Sequence, residues 1–94
     1  MRIEDLAAYS SNLGGNLAKL EMKAEDDTCG HMTVVETKET YVFEDEGEAD
    51  EKINSSIANP SCLAHTKKYK QGKINKSGEI VRPETWTVVV KLGH

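Results

Sequence analysis

Trp86, Val88, Val90 and Leu92 alternate with Thr87, Val89 and Lys91 near the C-terminus. A period of two cannot gather its apolar residues on one face of a helix, so this run is a strand. Val89 gives the second face an apolar residue too, which puts the strand in the middle of a sheet or under cover on both sides. Its antiparallel neighbour is predicted upstream. Arms at 62–74 and 80–92 form a β-hairpin joined around Asn75-Lys76-Ser77-Gly78-Glu79. Pro83 lacks an amide hydrogen, so its end of the second arm belongs at an edge or bulge.

The rest of the chain supplies partners for that hairpin. Leu20, Met22 and Ala24 alternate with Glu21, Lys23 and Glu25, the period of a half-buried strand, and Asp26-Asp27-Thr28-Cys29-Gly30 then reads as a turn. Residues 32–43 are rich in Thr and Val and end in Tyr41-Val42-Phe43. They form one long strand, or two short ones turning at Glu36-Thr37-Lys38-Glu39. Two segments are helical instead. Ile3, Leu6, Ala7 and Leu13 recur at helical spacing over 3–13, with Glu4 and Asp5 in the first turn and Gly14-Gly15 as the stop. Over 46–58, Ala49, Ile53 and Ile57 make one apolar stripe. Asp45 is the N-cap with Glu48 three residues on, as in a capping box, and Asn59-Pro60 ends the helix. The expectation is one α+β domain over residues 1–94. It has a mostly antiparallel sheet of four or five strands with two helices, in the order α-β-β-α-β-β. Trp86 and Met32 are expected in the core.

That core is thin. Leu, Ile, Val and Phe together number 19 of 94 residues, at the edge of the composition where folding is in question. A chain this short buries only about two-thirds of the surface its unfolded form exposes. Self-association would bury more, and a homodimer is expected on that ground. The longest aliphatic run is Val88-Val89-Val90, far below the ~20 residues of a membrane span. Glu4 and Asp5 stand where a signal peptide would be apolar, and two cysteines make no disulfide framework. The cytoplasm is therefore the expected location, or the host cytoplasm for a viral gene.

Charge is distributed unevenly. Residues 21–54 hold twelve acids and three bases, net −9, whereas residues 55–94 hold two acids and seven bases, net +5. The acids are densest at Glu44, Asp45, Glu46, Glu48, Asp50 and Glu51. Favourable interaction with the helix dipole and solubility explain such a run without any partner. As a functional feature, it would dock on the basic nucleic-acid channel of another protein, with Tyr41 and Phe43 as apolar anchors if exposed. The bases gather at Lys67, Lys68, Lys70, Lys73 and Lys76, with Tyr69 among them. Lysines on an edge strand discourage aggregation. They also suit a phosphate backbone, with Tyr69 stacking on a base, provided the acidic patch lies on the opposite face. A third arrangement pairs the acidic helix of one subunit with the basic hairpin of another.

Cys29, His31, Cys62 and His65 supply a zinc-type donor set, but Cys29 and His31 are closer in sequence than the usual ligand gap. On a regular strand, Cys62 and His65 would point to opposite faces. Small buried hydrophobes are the ordinary role for such cysteines. No phosphate-binding glycine loop, Gly-x-Ser-x-Gly or His-Glu-x-x-His occurs. A Cys62–His31 nucleophile pair would require the fold to bring the two together. The residues thus point to a non-catalytic protein-binding module without cofactor, a small acidic inhibitor of the kind phages and mobile elements carry. The alternatives are a nucleic-acid-binding protein and a zinc-stabilised structural domain.

Overall fold

The computed structural model describes residues 1–26 and 30–94. A 3-10 turn, Ile3–Asp5, leads into α1, Leu6–Ser11. Strands β1 (Leu17–Asp26) and β2 (Met32–Phe43) follow, then helix α2 (Glu46–Ile57). The chain continues through β3 (Cys62–Lys70), β4 (Lys73–Ile74), β5 (Ile80–Arg82) and β6 (Thr85–Gly93). Four strands form one antiparallel sheet in the order β1-β2-β6-β3, and β4 and β5 form a separate two-stranded one. The α+β expectation is met. The β2–α2–β3 crossover skips a position, and β6 fills it, antiparallel to both neighbours. The most apolar run of the sequence is thereby central. The turn expected at 26–30 lies largely outside the described residues.

Residues 32–43 form one strand, not two. Glu36 to Glu39 pair with β1 on one side and β6 on the other, so no chain reversal occurs there. A bulge opposite the Lys23/Ala24 step leaves Val35 without a partner on β1, its carbonyl accepting from the His94 amide instead, and turns Val34 to the same face as Thr37, Glu39, Tyr41 and Phe43. That face carries the core. Tyr41, Phe43, Ala49, Val88 and Val90 are buried together, with Leu13, Leu17, Ile53, Trp86 and Leu92 packed around them. Met32, expected in the core, is exposed, and so is Met22. Helix α2 lies over β6, β3 and β2 and does not extend to these positions.

Helix α2 begins as expected. Asp45 is extended, and its carboxylate accepts from the Gly47 amide at 3.1 Å. The bond is to the second helical residue rather than to Glu48, so the cap is a simple one and not a capping box. The apolar stripe fades along the helix. Ala49 is buried and Ile53 half-buried, but Ile57 is exposed and Ser56 takes the inward position near the end.

The molecule measures 62 × 24 × 18 Å with a radius of gyration of 16.5 Å. A compact chain of this length would have about 12 Å. Both ends of the sheet project. At one end β1 and β2 run on past β6, with Met1 accepting from the Val34 amide at 2.7 Å. At the other, residues 71–84 leave the sheet as an arm containing β4 and β5. The predicted long hairpin is therefore real in its pairing but divided in two.

Gly72 sits at the joint between sheet and arm. A Cβ there would lie 2.9 Å from both the Arg82 carbonyl oxygen and the Glu84 nitrogen. Those are backbone atoms and cannot swing aside. Gly72→Ala is therefore expected to destabilise by about 1–3 kcal/mol through overpacking. Gly15, whose Cβ direction is empty, is the control. Gly15→Ala should change stability by less than about 0.5 kcal/mol. Urea melting of the two variants checks both, and equal midpoints would show that the joint tolerates a side chain.

Candidate binding faces

The four-stranded sheet has one face under α2 and one uncovered. Pairing register assigns each residue to a face, because directly opposed residues of antiparallel strands point the same way. On the uncovered face Glu21, Lys38, Lys91 and Ala64 form one cross-strand row, and Lys19, Thr40, Val89 and Thr66 the next. Val42, Thr87 and Lys68 follow, then Thr85 and Lys70. Lys23 and Glu36 close the far side. Six lysines thus share this face with Glu21, Glu25 and Glu36. Lys19 pairs with Glu21 at 2.8 Å and Lys91 with Glu36 at 3.2 Å. Lys23, Lys38, Lys68 and Lys70 have no ion pair among the described residues. Thr40, Val42, Thr87 and Val89 are half-buried and make a flat β-branched floor, and Lys38, Lys68 and Lys91 border a shallow depression of about 410 Å³.

Lys23 and Lys38 come from the segment that reads as net −9. Counting by segment hides them, since alternate residues of one strand face opposite sides. Lys38 points outward while its neighbour Glu39 points into the core. Strand parity was the available signal, because Lys23 has the parity opposite to Leu20 and Met22.

The predicted basic set is divided. Lys68 and Lys70 reach the open face, and Lys73 and Lys76 lie on the arm. Lys67 points the other way, toward α2, where its ammonium meets Asp50 at 2.7 Å and Glu46 at 3.2 Å. Those two contacts, Asp50 first, hold Lys67 protonated above its ordinary pKa. Tyr69 is also on the α2 side. Its ring lies 5.3 Å from that of Trp86, and its hydroxyl donates to Glu84 at 2.8 Å, a bond that raises its pKa. Stacking of Tyr69 on a base in line with Lys68 is therefore not what this geometry offers, since the two side chains leave opposite faces of β3.

The predicted acidic set lies on the helix side and is partly committed within the chain. Asp45 caps α2, while Glu46 and Asp50 bind Lys67. Glu44, Glu48 and Glu51 are exposed and have no ion pair among the described residues. Tyr41 and Phe43, offered as anchors, are core residues: Tyr41 is almost wholly buried and Phe43 shows only an edge, so neither projects as an anchor. Glu48 and Glu51 instead rim a groove floored by Leu13, Tyr41 and Phe43, with a volume of about 440 Å³. Lys52 lies across it, 4.1 Å from the centre of the Tyr41 ring.

Glu39 is a functional-type residue that sequence reasoning passed over. Only 2% of its surface is exposed, and its two carboxyl oxygens accept from the hydroxyls of Tyr9 and Tyr41. Burial, then the Glu39 bond, pushes the Tyr9 pKa up to about 12. The same two causes raise Tyr41 further. Beside them Thr37 is bonded to His94 Nε2 at 2.7 Å, and the His94 ring meets Tyr9 edge-on at 5.3 Å. Every member of this network has a partner, so it is a closed structural device.

The zinc reading gains no support. Cys29 lies outside the described residues, and no group of three or more His, Cys, Asp or Glu is placed to hold a metal among those described. A bulge at Leu63 turns Cys62 and His65 to the same face, against the regular-strand expectation. Cys62 is a half-buried free thiol whose Sγ approaches the Ala64 carbonyl oxygen at 3.6 Å. No described helix is long and apolar enough to cross a membrane. Neither protein-family models, nor characterised proteins, nor solved structures provide a match to this chain.

Proposed function

We propose that the protein is a non-catalytic binding module that takes nucleic acid on the open, lysine-bearing face of its sheet. The observation that supports this is the segregation of charge by face. Lys19, Lys23, Lys38, Lys68, Lys70 and Lys91 lie on one side, where they outnumber Glu21, Glu25 and Glu36, and the acids of α2 lie on the other. A net charge of −4 argues against nucleic acid less strongly where one face carries an excess of bases. The face has threonines and valines between its lysines and no aromatic ring, so contacts to phosphate dominate over base stacking.

Fluorescence anisotropy with a labelled duplex and a labelled single strand tests this. Binding should weaken steeply with salt, and Lys38→Glu with Lys68→Glu and Lys91→Glu should reduce the log–log salt slope by about three. No retention of either probe at low salt would end the proposal.

A second reading is supported by Glu44, Glu48 and Glu51, which have no ion pair among the described residues on the helix side. It is the small acidic inhibitor, docking α2 on the basic channel of a nucleic-acid-handling protein. Glu48→Lys with Glu51→Lys is the informative variant, because reversing Glu46 and Asp50 would also break the bonds to Lys67. On this reading the protein binds no nucleic acid itself, and the variant loses the partner.

A further inference from the structure

The arm has no function in either reading. It exposes 66% of Ile74, 72% of Ile80 and 59% of Val81. Ile74 and Ile80 are cross-strand partners and so form one apolar pair on one side of the ribbon. The arm carries Lys73, Lys76 and Arg82 against Glu79 and, at its base, Glu84, which accepts from the Tyr69 hydroxyl. A two-stranded hairpin is marginal in water without something to pack on. Here β4 and β5 pack on each other and not on the four-stranded sheet.

The groove beside α2 has the complementary character. Its exposed apolar surface is Leu13 with the edge of Phe43, Tyr41 lies buried beneath Lys52, and its rim carries Glu48 and Glu51 without ion pairs among the described residues. It opens at the end of the sheet from which the arm leaves, since β2 ends at Phe43 opposite Trp86 and α2 starts three residues later. We infer that the groove receives the arm of a second copy of this chain. The Ile74–Ile80 pair seats against Leu13 and the edge of Phe43, and Lys73 and Lys76 meet Glu48 and Glu51. Two copies related by a twofold axis each supply one arm and one groove, so the contact closes at a dimer. The arrangement buries apolar residues that the thin core leaves exposed. It also neutralises the acidic rim, leaving the open sheet face as the free charged surface. It does not depend on what that face binds.

Sedimentation equilibrium on the purified full chain over a range of concentrations provides the test. Wild type should reach twice the monomer mass of 10.4 kDa. Ile80→Lys on the arm, and separately Glu48→Lys with Glu51→Lys in the groove, should each raise the dissociation constant at least about tenfold, the effect of losing a central interface contact. All three positions are exposed, and unchanged circular dichroism would confirm folding. Mixing the two variants restores one sound arm facing one sound groove. The mixture should therefore show a higher average mass than either variant alone. A wild type that stays monomeric, or a dimer indifferent to both variants, would overturn the inference. So would an Ile80→Lys protein of unchanged mass that has lost nucleic-acid binding, which would assign the arm to the nucleic acid.

Discussion

Glu39→Ala is expected to lower the unfolding free energy by about 2–4 kcal/mol, a large share of what a domain of this size possesses. The substitution removes the acceptor of two phenols at once. Tyr41 is almost wholly buried and has no route to water, so its hydroxyl bears the full desolvation penalty. Tyr9 is half-buried and loses less. Glu39→Gln keeps one acceptor oxygen and should cost about half as much, on the order of 1–2 kcal/mol. A triple variant, Tyr9→Phe with Glu39→Leu and Tyr41→Phe, removes donors and acceptor together and should recover most of the loss. Urea melts of the three proteins give the answer. A Glu39→Ala midpoint equal to wild type would mean that the network contributes nothing.

Alkali should unfold the protein through the same phenols. In the unfolded chain a tyrosine releases its proton near pH 10. In the fold Tyr9 holds its proton to about 12, and Tyr41 is shifted in the same direction. Below pH 10 both states are protonated and these groups give no slope. Above it the unfolded state binds fewer protons than the native one, so stability falls as pH rises. The contribution is thus fully present below the unfolded value and lost as pH climbs through the folded one. Thermal midpoints should decline from about pH 10 upward, and the phenolate absorbance of Tyr9 and Tyr41 should emerge together with unfolding. Tyr9→Phe with Tyr41→Phe should flatten that decline, whereas Tyr69→Phe, exposed and bonded to Glu84, should leave it in place. A decline of equal steepness in the double variant would assign alkaline unfolding to other groups.

Local features of the fold were legible because each depends on neighbours in the chain. Helix α2 was readable from Asp45, the Ala49–Ile53 spacing and Asn59-Pro60, and β6 from strict alternation of Trp86, Val88, Val90 and Leu92. The division of the C-terminal hairpin was not. Its 62–74 and 80–92 arms are continuous in composition, and the break at Gly72 and Pro83 depends on how closely two backbones approach. Met22 and Met32 show the same limit. Their alternation is correct, but a strand position is buried only where another layer reaches it, and α2 stops short of both.

The charge pattern divides in the same way. Patterning along the chain established an α+β fold, the capped acidic helix and the basic C-terminal third. Which charges share a surface was left to the pairing register and the crossover through α2. These bring Lys19, Lys23 and Lys38 beside Lys68, Lys70 and Lys91, turn Lys67 back onto Glu46 and Asp50, and bury Glu39 between two tyrosines. The physical reason is that adjacent residues of a strand face opposite ways, whereas cross-strand neighbours face the same way. A run that is acidic along the chain can therefore place its bases, Lys23 and Lys38, on one face of the sheet beside Glu21, Glu25 and Glu36, and send Glu39 and the acids of α2 to the other.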